Sequence, residues 1–102
     1  MPADLLDEDA IRAGLASLHA GWSGSSAQLR RSIEFADFPT AAEFVSRLVP
    51  VCEELDHHPD LALRWRWVDI ELSTHTAGGV TALDLQLAAQ VDEVAAGLPQ
   101  IG

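Results

Sequence analysis

Three of the four histidines lie at or beside predicted loops, and histidine is the side chain best suited to proton transfer near neutral pH. His57 and His58 end the second predicted helix, just before Pro59, and His75 follows the last predicted strand. An imidazole that acts as general acid or base contributes roughly 10²–10⁴ in rate. Adjacent residues in a helix diverge by about 100°, but the extended backbone before a proline could turn both imidazoles toward one pocket. The pattern indicates a proton-transfer site, with a helix C-terminal role as an equal alternative for His57 and His58.

The other candidate residues have structural interpretations as well. His75 could be a surface residue at a strand end, and His19 a helix-end residue. Asp84 could simply be the capping-box acid that pairs with Thr81. A zinc site built from three histidines is a further alternative. It is disfavoured because the chain lacks His-x-x-x-His and Cys-x-x-Cys spacings, and its single cysteine, Cys52, falls on an apolar helix stripe.

Two of the helices that must position these residues are predicted from apolar stripes. Residues 7–19 begin with an acidic cluster, which suits a helix N-terminus, and continue with apolar residues at i, i+4 and i+7. The last helix begins after Thr81, with Asp84 completing a capping box, and ends by 97–99, where glycine and proline occur.

The second helix carries the His-His pair at its end. Thr40 is the predicted N-cap, with Glu43 as its capping-box partner. Pro50 interrupts the apolar stripe, and a proline inside a helix costs about 3 kcal/mol. We therefore expect a kink near residues 46–50 or a broken helix.

The strands are predicted from alternating apolar and polar residues. Residues 29–35 form one half-buried strand. Residues 61–72 also alternate, but the apolar phase switches between Trp67 and Val68, which favours a hairpin with a tight turn near Arg66 over one bulged strand. These patterns give the order α-β-(β)-α-β-β-α, with the strand in parentheses optional. The predicted fold is α+β, in the order α-β-β-α-β-β-α, with helices covering one face of an antiparallel sheet.

Composition limits the classes of function. The chain has 102 residues, enough for a single domain spanning 1–102, and a net charge of −10 with sixteen acidic residues against six cations. Binding to a phosphate backbone requires a basic face, so we do not expect this acidic chain to bind nucleic acid directly. No apolar run is long enough to span a bilayer, and no signal peptide is recognisable, so we expect a cytoplasmic protein without membrane contact.

The candidate residues occur in a specific order along the chain. The positions that form this pattern are Glu53, His57-His58-Pro59, Trp65, Ser73-Thr74-His75 and Asp84. Together they resemble the signature of the pterin-4a-carbinolamine dehydratases, and the similarity extends over roughly residues 5–98. A His-His-Pro motif alone would be weak evidence, but the tryptophan, Thr-His and aspartate in register make the match specific.

This resemblance implies a four-stranded antiparallel sheet backed by helices, assembled as a homodimer or a dimer of dimers. The implied reaction is the loss of water from 4a-hydroxytetrahydropterin, which gives the quinonoid dihydropterin during tetrahydropterin recycling. The family needs no cofactor and no metal. Some members instead bind protein partners, as dimerising partners of transcription factors or as assembly factors, and this non-enzymatic role is the alternative function.

The resemblance also implies roles for individual residues. The implied catalytic residues are His57, His58 and His75, and the implied substrate-binding residues are Pro59, Thr74, Thr76 and Ala77. Supporting roles fall to Glu53 and Asp84, with Glu53 able to hold an imidazole in the required tautomer. Our hypothesis is that His58 and His75 act as acid and base, in either order, while His57 orients the substrate.

Overall fold

The computed structural model describes residues 4–101, and within this range helices cover one face of a four-stranded antiparallel sheet. This confirms the predicted α+β fold and its order of elements. The helices and strands are α1 (Glu8–Ala16), β1 (Ser23–Gly24), β2 (Leu29–Glu34), α2 (Phe38–Leu55), β3 (Asp60–Arg64), β4 (Trp67–Leu72) and α3 (Ala82–Ala96).

The sheet has the strand order β1-β2-β4-β3, so β2 and β4 are its central strands. Both alternate between a buried face, which packs under the helices, and a polar face. The side chains that fill the core between sheet and helices are Leu29, Ile33, Phe35, Phe44, Leu48, Val68, Ile70, Leu72, Leu87 and Val91. The sheet therefore has one covered face, as the alternation predicts.

The predicted hairpin is confirmed. Strands β3 and β4 pair up to Arg64 and Trp67, and the two residues between them form the turn. Trp65 has a φ of 53° there, in the left-handed region, which β-hairpin turns of two residues commonly require. Strand β3 is an outer strand, and Leu61 and Leu63 keep 37% and 41% of their surface exposed.

Helix α2 begins earlier than the sequence indicated, and the assignment of Thr40 as its N-cap is wrong. Asp37 is the cap: its Oδ1 accepts hydrogen bonds from the Thr40 N–H at 2.9 Å and from the Thr40 hydroxyl at 2.5 Å. These two bonds lower the pKa of Asp37. Pro39 suits the first turn because the N–H that it lacks would have no helical partner there.

Pro50 does not break α2, so of the two expected outcomes the broken helix is wrong, and the kink near residues 46–50 stays a prediction. The helix runs without interruption from Phe38 to Leu55. Pro50 lies on the exposed side of the helix, as does Ser46 one turn earlier, whose carbonyl loses its usual partner. Water can hydrate that carbonyl, which reduces the cost of the missing hydrogen bond.

One buried ion pair was not foreseen. Arg31 is 4% exposed on the covered face of β2, and its Nη1 lies 2.5 Å from Oδ1 of Asp92 on α3. The same carboxylate accepts hydrogen bonds from Trp22 Nε1 at 2.7 Å and from the His19 N–H at 2.8 Å. It thus ties α3 to β2 and to the segment that follows α1.

Across residues 4–101, none of the helices combines the length and the apolar character needed to traverse a bilayer.

Candidate active site

The C-terminus of α2 separates the environments of the two adjacent histidines. Asp56 caps the helix in the left-handed conformation, with a φ of 50°, and the His57 N–H donates to the Cys52 carbonyl at 3.1 Å. After this turn the His57 side chain is buried, whereas the His58 side chain remains 57% exposed. Neighbours in sequence therefore meet different partners.

His57 is bound to Asp84, at the start of α3. The His57 Nε2 and Asp84 Oδ1 atoms lie 2.6 Å apart, and Asp84 is fully buried. The second carboxylate oxygen, Oδ2, accepts from the Thr81 N–H and from the Thr74 hydroxyl, both at 2.9 Å. Asp84 therefore caps α3 with one oxygen, which confirms the capping-box interpretation, and it holds an imidazole with the other.

His58 has its own acidic partner. Its Nε2 lies 2.5 Å from Oε2 of Glu53, one turn earlier on α2, and both side chains are largely exposed to solvent. A carboxylate that binds one ring nitrogen favours the proton on that nitrogen and leaves the other free for a ligand. Glu53 is therefore placed to set the tautomer of His58.

His75 is presented by a tight loop between β4 and α3. Thr74 and Gly79 pair across the base of this loop, with the Thr74 N–H donating to the Gly79 carbonyl at 2.8 Å. Gly78 has a φ of 78°, which only glycine adopts without strain, and its N–H donates to the Thr74 carbonyl at 2.9 Å. His75 lies exposed on this closed loop.

The three histidines border one cavity of about 360 Å³. The residues that line it are Asp56, His57, His58, Ser73, Thr74, His75, Thr76 and Leu83. Asp56, Ser73 and Leu83 were not singled out from the sequence as site residues. The first two adjoin predicted site residues in the chain, but Leu83 enters from the first turn of α3 and carries no signal of its own.

Two predicted substrate contacts lie elsewhere. Pro59 borders a neighbouring, mostly apolar cavity of about 190 Å³, together with Leu48, Val49, Cys52, Glu53, His58 and Leu61. Ala77 borders neither cavity. His58 lies between the two cavities and lines both.

Cys52 does not bring a reactive thiol to this neighbourhood. Burial raises the pKa of the Cys52 thiol, and the negative charge of Glu53 raises it further. The thiol, not the thiolate, is thus the form favoured at neutral pH. Within the described part of the chain, no three or more His, Cys, Asp or Glu side chains are grouped so that they could hold a metal ion.

Comparison with known proteins assigns the chain to a family. The profile of the family described as pterin 4 alpha carbinolamine dehydratase matches residues 4–94. The chain belongs to this family. A relative from Nocardia farcinica, provisionally named a pterin-4-alpha-carbinolamine dehydratase, is 40% identical over 95 residues, which cover 93% of this chain and 99% of the relative. A relative from Roseiflexus castenholzii with the same provisional name is 41% identical, over 90% of this chain and 98% of the relative.

Two solved structures of similar proteins share the fold. A protein from Brucella melitensis described as a transcriptional coactivator/pterin dehydratase superimposes with a TM-score of 0.85 at 34% identity, covering 90% of this chain and 99% of that one. A pterin dehydratase-like protein identified as a RuBisCO assembly factor in the alpha-carboxysome superimposes with a TM-score of 0.60 at 25% identity, covering 72% of this chain and 86% of that one.

Proposed function

We propose that this member of the family is an active dehydratase, which removes water from a 4a-hydroxytetrahydropterin to give the quinonoid dihydropterin. The observation that supports this most directly is that His57, His58 and His75 line one cavity. A cavity of about 360 Å³ falls within the range of roughly 300–1,000 Å³ that small-molecule sites occupy.

The reaction requires two proton transfers. The bond between C4a and its hydroxyl oxygen breaks, and an acid supplies the proton with which that oxygen leaves as water. A base removes a proton from a ring nitrogen, whose electrons form the new double bond. His58 and His75 are both exposed at the cavity and take these two roles in our proposal, in either order.

The hydrogen-bond partners of the histidines are consistent with these proposed roles. His57 is buried and bound to Asp84, so it has a fixed orientation and suits the role of orienting the substrate. His58 is exposed and bound to Glu53, which supports one tautomer while leaving the ring accessible. Thr76 borders the same cavity and is the predicted substrate contact that remains available to a ligand.

The test is turnover of synthetic 4a-hydroxytetrahydropterin, followed against the uncatalysed decay in buffer. We expect catalysis by the wild type, and losses of about 10²-fold or more in His58→Ala and His75→Ala, because each removes a proton-transfer group. His19→Ala is the matched control, since His19 borders a different cavity and should keep full activity. Two near-wild-type rates for the His58 and His75 variants would contradict the assignment.

A second candidate function is binding to a protein partner. The names of the two solved relatives include a transcriptional coactivator and an assembly factor. In this chain, outer strand β3 leaves Leu61 and Leu63 exposed, and Trp65 beside it is 65% exposed. We propose that a second copy of the chain covers this strand, because identical outer strands can pair in antiparallel fashion about a two-fold axis.

Light scattering after gel filtration tests the dimer. We expect a dimeric mass for the wild type and a monomeric mass for Leu63→Lys, which places a charge on the face of β3 that points toward the helices. Ala62→Lys, on the opposite face of the same strand, is the control and should remain dimeric. A monomeric wild type would reject this interface.

A cytoplasmic location also stays a prediction, which fractionation of the source cells would test.

A further inference from the structure

We propose that the hydroxyl groups of Thr74 and Thr81 position the His57 imidazole by acting through Asp84. They would hold the ring in the tautomer that carries its proton on Nε2. Thr81 was expected only to cap a helix, and Thr74 only to contact substrate. The kinetic consequence of this inference rests on the proposed dehydratase function, but the tautomer can be measured without turnover.

The side-chain hydrogen bonds among Thr74, Thr81 and Asp84 can run in only one direction while Asp84 is ionised, because a carboxylate only accepts. Thr74 Oγ1 lies 2.9 Å from Asp84 Oδ2, so the single proton of this hydroxyl points to the carboxylate. The 2.8 Å contact between the two hydroxyl oxygens must then be donated by Thr81. The Thr81 oxygen in turn accepts from the Leu83 N–H at 3.3 Å.

The same carboxylate, held in place by Thr74, determines which nitrogen of His57 carries the proton. Asp84 Oδ1 is an acceptor, so His57 Nε2, 2.6 Å away, must donate to it in both the neutral and the charged ring. In the neutral ring Nδ1 is therefore the unprotonated nitrogen. Since His57 borders the cavity, Nδ1 is the hydrogen-bond acceptor that this ring can offer to a donor group of the substrate.

Burial makes the two hydroxyls difficult to replace. Thr74 is 6% exposed, and Thr81 and Asp84 are fully buried. Throughout residues 4–101, every buried side-chain nitrogen and oxygen has a hydrogen-bond partner. If the Thr74 hydroxyl is removed, water has little access to replace it, so Asp84 loses a donor and the Thr81 hydroxyl loses its acceptor.

Nuclear magnetic resonance of the imidazole nitrogens in ¹⁵N-labelled protein tests the proton position directly. We expect the Nε2–H tautomer for His57 in the wild type and in Thr74→Ser. We expect a mixture of tautomers in Thr74→Val, because the Asp84 carboxylate then loses the donor to Oδ2 that holds Oδ1 toward the ring. Thr74 is the better position because it lies outside α3, so both hydrogen bonds that cap α3 at Thr81 remain. Thr81→Val and Thr81→Ser form a second pair of variants.

Kinetics supply the second measurement. We expect kcat/KM to fall by about tenfold in Thr74→Val, as for the loss of one hydrogen bond to a charged group. Thr74→Ser should remain within about twofold of the wild type. Thermal unfolding of each variant shows that the compared proteins are folded.

The inference is overturned if wild-type His57 carries its proton on Nδ1, or if Thr74→Val keeps the wild-type tautomer. It is also overturned if the serine and valine variants lose activity equally, because the hydroxyl that serine keeps would then not account for the activity. A wild type without turnover but with the expected tautomers would reject the dehydratase proposal and leave this inference standing.

Discussion

The Nε2 atom of His57 and the Oδ1 atom of Asp84 are 2.6 Å apart although 27 residues separate them in the chain. This contact joins the end of α2 to the first turn of α3, and the cavity lined by His57, His58 and His75 lies at that junction. The buried member of the histidine set is therefore fixed by the same residue that caps a helix.

Asp84→Asn should disturb both the site and the fold. An amide that still accepts from Thr74 and Thr81 turns its NH₂ group toward His57, where it faces the proton on Nε2. We expect kcat/KM to fall by at least about tenfold and the free energy of unfolding by about 1–3 kcal/mol. Turnover assays and urea denaturation measure the two effects. Asp9→Asn, at an exposed position of α1, is the control and should change neither kcat/KM nor the free energy of unfolding.

Glu53→Gln should affect activity without affecting stability. The Glu53–His58 pair is exposed, so its loss should cost less than about 1 kcal/mol in the free energy of unfolding. The imidazole loses the carboxylate that favours one tautomer, so we expect a several-fold decrease in kcat. Glu54→Gln is the matched control at the adjacent exposed position. Equal rates for both variants would mean that Glu53 has no role in positioning His58.

Asp92→Asn should affect stability without affecting activity. It leaves the buried guanidinium of Arg31 without its counter-charge. Breaking a fully buried pair costs about 3–5 kcal/mol, and the cost here should be lower because the Asp92 side chain is 20% exposed. We expect a large decrease in the free energy of unfolding but an unchanged kcat per folded molecule, because neither residue borders the histidine cavity. Glu93→Gln, an exposed neighbour, serves as the control. A loss of kcat in folded Asp92→Asn protein would contradict this separation.

Asp69 should contribute to the acid sensitivity of the sheet. Hydrogen bonds from Arg64, and then from Ser32, lower the pKa of Asp69. A carboxyl group with a lowered pKa stabilises the fold above its unfolded value of about 3.9, and this stabilisation is lost as the pH falls through the lowered value. Because the pair is partly exposed, we expect a contribution of less than about 1 kcal/mol.

The corresponding measurement is the unfolding temperature of Asp69→Asn and of the wild type between pH 7 and pH 2. The wild type should be more stable at neutral pH, and the difference should disappear at the acid end. Asp60→Asn, an exposed position on the adjacent strand, is the control. A difference that persists unchanged at pH 2 would show that the effect is not electrostatic.

Local patterns were sufficient to predict most of the fold. The phase switch at Trp67–Val68 predicted the hairpin, and Thr81 with Asp84 predicted the start of α3, because both signals depend on residues close together in the chain. The cap of α2 was assigned wrongly because Asp37 and Thr40 are both good N-cap residues, and only the path of the backbone decides between them.

The parts that could not be predicted depend on contacts between distant segments. The alternation of β2 puts Arg31 on the buried face with Leu29 and Ile33, but its partner Asp92 is 61 residues away, and no local pattern indicates that pairing. Leu83 reaches the histidine cavity only because α3 begins beside it. The effect of Pro50 depended on which side of α2 faces solvent, which the position of the sheet determines.

The double duty of Asp84 has a consequence for judging activity among relatives. A lineage that abandoned the chemistry would still need an aspartate at this position to start α3, so selection for folding alone would retain it. His58 and His75 are exposed and have no comparable duty in the fold. The presence of His58 and His75, and not that of Asp84, should therefore distinguish active enzymes from relatives that have lost the activity.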